Sequence, residues 1–366
     1  MELQVAAFTD TYLPTVNGVT YTIKSWRDRW NRNGGWMDVV YPDSDDHVPE
    51  ASEHPVRSIP FPFYEGFRVG APQVPEVATK ADIIHTHTAF GLGLASLRLA
   101  RSEDKPLVAS YHTPTAEYAN YIASSDRITG GLRRLSEHYE RWFYNRADLV
   151  ITPSEPTRRT LVDDVGVETP VRVLSNGIDI EQFRPVDASA FRERYDLEGT
   201  LLGYTGRHGY EKRLSDIITA AEDLDVTVVL GGDGPARDDL ERQARSSDAD
   251  VRFLGFLDRD EMPAFYSALD VFTFPSPVET QGLVALEANA CGTPVVGVDA
   301  GALAETVDDD VTGYHFERGD IDGFQRGIRR ALDERERLSE NCLDRRDEVS
   351  IDHAIDRLES LYEDVS

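Results

Sequence analysis

The chain has 366 residues, of which 66 are acidic and 38 are basic, so its formal net charge at pH 7 is −28. This balance argues against a nucleic acid partner, because a phosphate backbone is bound by basic patches, and the sequence contains no apolar run of 18 residues that would predict a membrane-spanning helix. Two cysteines exclude a disulfide scaffold and a cysteine-based zinc site, and the N-terminus lacks the pattern of a signal peptide, so we expect a cytoplasmic protein.

The charged residues are unusual in kind as well as in number. Only four of the basic residues are lysine, and the acidic residues are dispersed along the chain instead of being collected in a tail. Such a surface is typical of adaptation to high salt, where self-repulsion is screened, and we expect a halophilic protein; an ordinary acidic protein is the alternative.

Short apolar runs alternate with helical patterns from the N-terminus onward. In the first half, strands are predicted at LQVAAF, MDVVY, ADIIH, PLVASYH and ADLVITP, with loops around one short strand between Pro42 and Pro75. After Ser175 the alternation resumes, and strands are predicted at TLLGYTG, VTVVLGG, VRFLGF, DVFTFPS and TPVVGV. The chain ends in the amphipathic helical pattern SIDHAIDRLESLYEDVS.

This alternation predicts the fold class. Apolar strands separated by helices are typical of βαβ units and parallel sheets, and ten strands are too many for one such sheet. We therefore predict an α/β chain with two doubly wound, Rossmann-like domains that face each other across a cleft. The predicted organisation is a first domain over residues 1–174, a linker over 175–186, a second domain over 187–347 and a terminal helix over 348–366.

The first predicted domain carries polar groups at its strand ends. In FTDTYLPTVNGVTYTI, the pair Asn17-Gly18 lies where a helix begins, so backbone amides there suit a phosphate or a sugar hydroxyl, unless the glycine serves only the turn. His85, His87 and His112 also end strands. A zinc site is the weaker interpretation because no carboxylate is placed to complete it; a role in substrate binding or proton transfer is favoured for His112, and packing for His85.

The second predicted domain has two loops suited to a charged ligand. In YTGRHGYEKRLSDII, the cations of Arg207 and Lys212 precede a helix and indicate a diphosphate clamp, with Glu211 expected to orient Lys212. A solvated charge cluster is the alternative. The glycines of GGDGP, among them Gly232 and Gly234, allow close approach of a flat ligand, and the segment VRFLGFL offers backbone groups to a base.

Two glutamates flank a predicted helix start in SPVETQGLVALEANACGTPVV. Glu279 lies in the loop, Gly282 begins the helix, and Glu287 lies inside it among small and apolar residues. Because an unpaired carboxylate is costly to bury, Glu287 is expected to serve a ligand, and its oxygens can accept from two hydroxyls. The amides of the helix start can receive an anion. A solvent-facing Glu287 is the alternative.

These motifs together resemble a known family. Gly206-Arg207, Glu211-Lys212, Glu279, Gly282, Glu287-Ala288 and the segment GTPVV are similar to those of the retaining glycosyltransferases called "glycosyl transferases group 1", which have the GT-B fold. The resemblance covers nearly the whole chain. It implies metal-independent transfer of a hexose from a UDP- or GDP-hexose to an acceptor hydroxyl, with no further cofactor.

The resemblance also implies roles for particular residues. His112, Glu279, Arg207 and Lys212 are expected to be catalytic, with Glu279 on the donor sugar and Glu287 on the ribose hydroxyls. The expected donor-binding residues are Gly18, Arg207, Lys212, Gly232, Gly234, Phe256, Glu279, Gln281, Gly282, Leu283 and Glu287. The expected acceptor-side residues are Asp10, Asn17, His87, Tyr111 and Tyr118. The terminal helix is expected to cross back onto the first domain.

One departure from the family pattern bears on the acceptor. Many members have Phe where this chain has Gln281, and the segment ETQG, together with HTHTAFGLG and SYHTPTAEYANYI, resembles members that glucosylate diacylglycerol. A lipid acceptor is therefore expected, with a glycan or polyprenyl-linked acceptor as the alternative. A sugar-nucleotide epimerase and a non-catalytic nucleotide-sugar-binding protein are the competing functions.

A basic and aromatic segment suggests contact with a membrane surface. Residues 127–147, RITGGLRRLSEHYERWFYNRA, place arginines beside Leu132, Leu135, Trp142 and Phe143 in an otherwise acidic chain. Such a helix suits the surface of an anionic bilayer. An inward-packed aromatic stripe with solvated arginines is the alternative.

Overall fold

The chain folds into two compact units. The computed structural model describes residues 3–60, 68–112 and 126–366, without the side chains of 126–133. The first unit comprises Met1–Gly177 and Ile351–Ser366, and the second comprises Ile178–Ser350. The boundary after Gly177 falls within the segment 175–186 that was expected to be a linker.

The first unit is built on a parallel sheet of seven strands in the order β3-β2-β1-β6-β7-β8-β9, with a separate antiparallel pair, β4-β5. Its strands are β1 (Gln4–Phe8), β2 (Trp36–Pro42), β3 (Glu53–Val56), β4 (Ser58–Pro60), β5 (Arg68–Gly70), β6 (Ile83–Thr86), β7 (Leu107–Ser110), β8 (Leu149–Thr152) and β9 (Val171–Val173). Its first helices are α1 (Gly18–Arg32), α2 (Gly91–Glu103), α3 (Asp126–Tyr144) and α4 (Glu155–Arg159), which runs into a π-helical turn.

The second unit is built on a parallel sheet of six strands in the order β12-β11-β10-β13-β14-β15. Its strands are β10 (Leu201–Thr205), β11 (Thr227–Gly231), β12 (Asp250–Gly255), β13 (Val271–Phe274), β14 (Val295–Val298) and β15 (Gly313–Phe316). Its helices are α5 (Ser189–Arg194), α6 (Leu214–Ala221), α7 (Arg237–Ser246), α8 (Met262–Ala268), α9 (Leu283–Ala290), α10 (Leu303–Thr306), α11 (Ile321–Asp333) and α12 (Arg335–Asp344).

The last helix, α13 (Ile351–Glu363), packs within the first unit. Alternate residues of β1 point to opposite faces of the sheet, so Val5 and Ala7 share a core with α1 and α13, while Ala6 and Phe8 belong to the core on the other face. From α13 the buried apolar residues are Ile351, Ile355, Leu358 and Tyr362. Both faces of the sheet are therefore covered, as parallel sheets require.

All ten predicted strands are present, and the prediction of two doubly wound parallel sheets is confirmed. Two strands missed by the sequence patterns, β9 and β15, lie at the edges of the sheets, as does β3, which lies with β4 and β5 in the segment where one short strand was predicted. They are three or four residues long, and β3 contains a proline while β15 contains a histidine. Such short, mixed segments lack the apolar pattern by which a buried strand is predicted.

Candidate functional site

In the second unit, the expected donor-binding residues lie on loops that leave the carboxyl ends of parallel strands. These loops follow β10, β11, β12 and β13. Since all strands of the sheet run in the same direction, the loops share one edge, which is where open α/β sheets bind ligands.

Lys212 and Glu279 form an ion pair at this edge. The Nζ atom of Lys212 lies 2.6 Å from Oε1 of Glu279, and both side chains are mostly shielded from solvent. Although burial disfavours the ammonium form, the charge of Glu279 raises the pKa of Lys212 above its ordinary value. Lys212 is therefore a fixed cation, and its two remaining N–H donors are available to an anion.

The partner of Lys212 differs from the sequence-based expectation. Glu211, expected to orient Lys212, instead binds the guanidinium of Arg207 four residues before it. The two side chains of this pair are each about a third exposed. The expectation was wrong because Glu211 and Lys212 are adjacent in a single 3₁₀ turn, Tyr210–Lys212, and the loop brings Glu279 to Lys212 from another part of the chain.

The glycines after β11 serve close packing between two loops. A Cβ atom on Gly232 would lie 2.0 Å from the carbonyl oxygen of Gly206, and one on Gly234 would lie 2.8 Å from the backbone nitrogen of His208. The φ angles of these glycines, 100° and 155°, are also unfavourable for other residues. Glycine is therefore required here because two segments of the chain pack closely together. The loop that carries Arg207 lies against the loop after β11.

His208 joins the same two loops and was not predicted. It is fully buried, its Nε2 atom donates to the carbonyl oxygen of Gly231 at 3.1 Å, and its backbone N–H donates to the carbonyl oxygen of Asp233 at 2.8 Å. Burial lowers its pKa, so the ring is neutral. Its sequence neighbours, Arg207 and Gly209, gave no sign that this histidine points into the protein.

The helix α9 begins directly after the loop that carries Glu279. Gly282 precedes the helix with φ of +80°, and a Cβ atom there would lie 2.7 Å from Leu303. Within the described part of the chain, no side chain caps this helix start. Gln281 is buried, and Leu283 is partly exposed as the first helical residue. Phe256, in the loop after β12, is 65% exposed.

Glu287 is buried in α9, as its apolar neighbours predict, and the solvent-facing alternative is wrong. Its Oε1 atom accepts from Nη1 of Arg259 at 2.7 Å, and its Oε2 atom accepts from the hydroxyl of Tyr266 at 2.7 Å. Neither partner was predicted. Arg259 is one of many arginines, and Tyr266 lies in an apolar helical pattern without a distinguishing signal.

The corresponding edge of the first unit carries the loop between β1 and α1. Asn17 is the N-cap of α1, since its Oδ1 accepts from the backbone N–H of Thr20 at 2.9 Å, and its Nδ2 donates to Thr11 at 2.8 Å. Gly18 is the first residue of that helix. Both residues lie where the sequence predicts a helix start.

Two expected acceptor-side residues, Asp10 and Tyr111, make contacts within the first unit. The Asp10 carboxylate accepts from the backbone N–H groups of Gly70 and Leu92 and from the hydroxyl of Thr88, so it joins three segments at the start of α2. Burial raises its pKa to about 6, against the opposing effect of these donors. Tyr111 is fully buried with its ring against Tyr144. Tyr118 lies outside the described residues.

The three histidines of the first unit form a buried stack. The rings of His85 and His87 are 4.1 Å apart, and Nδ1 of His87 lies 3.0 Å from Nε2 of His112. The ring of His85 is hydrogen-bonded to the hydroxyl of Tyr362 on α13 and to the hydroxyl of Ser110, so its predicted packing role is confirmed. Burial lowers the pKa of His85 to about 3 and that of His112 to about 4, and lowers that of His87 strongly. The rings are therefore neutral.

The zinc alternative has no support in this geometry. Among residues 3–60, 68–112 and 126–366, no three side chains of histidine, cysteine, aspartate or glutamate are grouped to hold a metal ion. The nitrogen atoms of His85 are already bonded to hydroxyl groups within the unit.

Comparison with known proteins decides the family. The model described as "Glycosyl transferases group 1" matches residues 187–345, and the model "Glycosyltransferase Family 4" matches residues 16–182. The chain is 33% identical over 321 residues to the alpha-monoglucosyldiacylglycerol synthase of Streptococcus pneumoniae, covering 80% of this chain and 70% of the relative. The chain belongs to the glycosyl transferases group 1 family. Members of this family are retaining hexosyltransferases that use nucleotide-sugar donors without a metal ion.

Further comparisons agree with this membership. The glycosyltransferase is 30% identical over 294 residues to the sulfoquinovosyl transferase of Arabidopsis thaliana, covering 76% of this chain and 56% of the relative. The solved structure of the Anabaena protein HepE in complex with UDP and glucose superposes with a TM-score of 0.78 at 18% identity, covering 99% of this chain and all of that one. The fold of the units is therefore that of GT-B enzymes.

The glycosyltransferase has no helix, among its described residues, with the length and apolar character needed to cross a membrane.

Proposed function

We propose that this glycosyltransferase moves a hexose from a UDP- or GDP-hexose to a hydroxyl group of a membrane lipid. The observation that carries the donor half of the proposal is the arrangement around α9: Glu279 is paired with Lys212 before the helix start, and Glu287 is buried within the helix. The lipid acceptor is supported by Gln281 and by the names of two relatives, a glucosyldiacylglycerol synthase and a sulfoquinovosyl transferase.

In this proposal the donor diphosphate is bound by Arg207 and Lys212. Each cation is paired with one carboxylate, and the guanidinium and ammonium groups have several N–H donors from which a diphosphate can accept. The start of α9 adds the positive end of a helix dipole. As the bond from the anomeric carbon to the phosphate oxygen breaks, negative charge grows on that oxygen, and these groups stabilise it.

The transfer itself needs no further protein base. The acceptor hydroxyl attacks the anomeric carbon from the face that the diphosphate leaves, so the new bond has the configuration of the old one. The proton of the hydroxyl passes to the leaving phosphate oxygen, which balances the step.

Further contacts to the donor are proposed from the family pattern. Glu279 and the backbone from Gln281 to Leu283 bind the sugar, and Glu287 binds the ribose hydroxyls. Gly18, Gly232, Gly234 and Phe256 complete the donor contacts, and His112 acts at the reacting sugar. On the acceptor side, the candidates are Asp10, Asn17, His87, Tyr111 and Tyr118.

Residues of α3 are proposed to contact the bilayer that holds the acceptor. Leu135 is 68% exposed and Trp142 is 40% exposed, and they lie two turns apart on one face. Arg134 and Arg141 are exposed beside them, and the guanidinium of Arg146 lies 4.3 Å from the Trp142 ring. Phe143 is instead buried in the core. Exposed apolar and basic side chains on one face suit an anionic surface, with the protein remaining peripheral.

A donor panel tests the proposal. The full chain is incubated with UDP-glucose, UDP-galactose or GDP-mannose and with either diacylglycerol or a glucosylated diacylglycerol, and products are identified by mass. We expect one donor to yield a glycolipid whose new linkage is α, as in the donor. Transfer only to soluble glycans or to a polyprenyl-linked acceptor would refute the lipid half, and a change in the sugar without transfer would indicate an epimerase. Binding of donors without any chemistry would indicate a non-catalytic protein.

Membrane contact has its own test. Flotation with vesicles containing anionic lipid, at the salt concentration that supports activity, should recover the protein with the vesicles. A variant with Leu135→Ser and Trp142→Ser should remain unbound while transferring sugar to detergent-dispersed lipid. Equal recovery of both proteins would refute a role for this face.

A further inference from the structure

Two side chains outside the expected site hold the carboxylate of Glu287. Arg259 donates to one oxygen and the Tyr266 hydroxyl donates to the other, each at 2.7 Å. The side chain of Glu287 is 4% exposed and that of Arg259 is 28% exposed. Both oxygens of this buried side chain therefore have hydrogen-bond partners, at a depth where an unpaired carboxylate would be strongly disfavoured.

Both partners are themselves held in place. Arg259 begins the 3₁₀ turn Arg259–Glu261, which Asp258 and Glu261 close with reciprocal hydrogen bonds. Its guanidinium lies 4.5 Å above the ring of Phe183, so it is stacked as well as paired. Tyr266 is fully buried, and burial together with the charge of Glu287 raises its pKa well above the ordinary value, so its hydroxyl remains a donor.

A carboxylate has more acceptor positions than these two partners fill. Each oxygen has two acceptor positions, and the protein occupies one on each oxygen. The remaining position on each oxygen can accept one hydroxyl. Two adjacent hydroxyls, such as those at the 2′ and 3′ positions of a ribose, match this pair of acceptors.

We propose that Arg259 and Tyr266 are positioning residues, which hold the Glu287 side chain in one orientation so that its two free acceptor positions select a ribonucleotide donor. The proposal rests on the proposed role of Glu287 in ribose binding and adds the groups that make that role possible. Neither residue needs to touch the nucleotide. Their contribution to nucleotide affinity depends on the ribose hydroxyls, and it should vanish for a nucleotide that lacks those hydroxyls.

The test compares a nucleotide with and without these hydroxyls. Dissociation constants of UDP and 2′,3′-dideoxy-UDP, and of GDP and 2′,3′-dideoxy-GDP, are measured by titration calorimetry on the full chain. The nucleotide that binds more tightly is then used with the variants Arg259→Gln, Tyr266→Phe, Glu287→Gln and the double variant Arg259→Gln/Glu287→Gln. Arg194→Gln is the matched control. Arg194 pairs with Glu261, which belongs to the same 3₁₀ turn as Arg259, but the side chain of Arg194 is 64% exposed.

We expect the wild type to bind the ribonucleotide more tightly than the dideoxy analogue. Arg259→Gln should weaken binding of the ribonucleotide about 10- to 100-fold, because a hydrogen-bonded charge is lost. The dideoxy analogue should be affected less than about threefold, and Tyr266→Phe should show a smaller loss of the same kind. Arg259→Gln should have no further effect in the Glu287→Gln background. Arg259→Lys should restore part of the preference, and Arg194→Gln should match the wild type.

Four results would overturn the inference. Equal weakening of both nucleotides by Arg259→Gln would show a general effect on the fold or a direct contact with the diphosphate. An undiminished effect in the Glu287→Gln background would show that Arg259 does not act through Glu287. In a third outcome, Glu287→Gln abolishes the preference for the ribonucleotide, whereas Arg259→Gln and Tyr266→Phe leave it intact. That result would refute this inference but not the proposed ribose role of Glu287. A wild type without any preference would instead refute the proposed ribose role of Glu287, and the inference with it. Tyr266→Phe keeps the test decisive if Arg259→Gln does not fold.

Discussion

The carboxyl edges of the two parallel sheets carry polar side chains of different kinds. In the second unit they are charged and paired: Lys212 with Glu279, Arg207 with Glu211 and Arg259 with Glu287. In the first unit the three histidines are neutral, and the buried carboxylate of Asp10 accepts from donors of its own unit. One fold therefore supports an edge at which the expected site residues form ion pairs, here called the ionic edge, and an edge at which most of them are neutral, here called the neutral edge.

The difference matches what each edge is proposed to bind. A nucleotide diphosphate needs fixed cations, which must be kept in place before it arrives, and a carboxylate partner does this without occupying every donor of the cation. An uncharged hydroxyl on a lipid needs neither fixed cations nor carboxylate partners for them. The pairs in the second unit and the histidine stack in the first are thus alternative ways to order polar side chains.

The largest effect is expected at the ionic edge. Replacing Lys212 by alanine should lower the turnover of donor about 10²- to 10³-fold, because a fixed cation at the developing charge is lost. Steady-state transfer at saturating donor measures this, with the melting temperature as a check of folding.

The matched control for Lys212 is Lys24, whose Nζ also lies 2.6 Å from a carboxylate, that of Asp28 on the surface of α1. Lys24→Ala should leave turnover within about twofold of the wild type, since exposed ion pairs contribute little. If Lys212→Ala retains near wild-type turnover, the ionic edge does not bind the diphosphate.

The second effect concerns the neutral edge and pH. Burial lowers the pKa of His112 to about 4 from an ordinary value of 6.5. Between these two pH values, His112 therefore binds a proton in the unfolded chain but not in the folded chain. Stability is therefore fully present above about pH 6.5 and is lost as the pH falls toward 4, by roughly 3 kcal/mol for His112 alone. Melting temperatures at pH 7.5 and 5 measure this, and His112→Gln should lose less than the wild type between them.

Asp10 provides the control of opposite sign. Its pKa is raised to about 6, so its contribution to stability is present below about pH 4 and is lost as the pH rises through 6. Asp10→Asn removes this opposing contribution and should make the acid loss steeper. A wild-type melting temperature that is the same at pH 7.5 and 5, with no change in the His112→Gln variant, would contradict the neutral stack.

The third effect tests how α13 supports the histidine stack. Tyr362→Phe removes the hydroxyl that lies 2.6 Å from Nδ1 of His85 and leaves a buried nitrogen without that partner. The free energy of unfolding should fall by about 1–3 kcal/mol. Denaturant titration measures it. Tyr210→Phe, which removes a hydroxyl from a 63% exposed tyrosine, should cost less than about 0.5 kcal/mol, and equal losses would show that the His85 bond is not important.

The sequence predicts more of the fold than of the contacts in the site. The long apolar runs of the central strands and the buried position of Glu287 follow from local patterns, because burial on both sides leaves a continuous apolar signal. The partners of the charged groups do not follow, since Lys212 and Glu279 are 67 residues apart and Arg259 and Glu287 are 28 apart.

The smallest effect separates two roles of Asn17. As the N-cap of α1, its Oδ1 satisfies the N–H of Thr20, and Asn17→Ala should cost about 1 kcal/mol of stability. Asn17→Asp retains a capping oxygen but loses the Nδ2 donor to Thr11, so its stability should stay close to that of the wild type. If the amide also binds the acceptor, Asn17→Asp should raise the KM for lipid without changing the KM for donor. If both kinetic constants stay at wild-type values while Asn17→Ala is destabilised, Asn17 only caps the helix and is removed from the acceptor-side candidates.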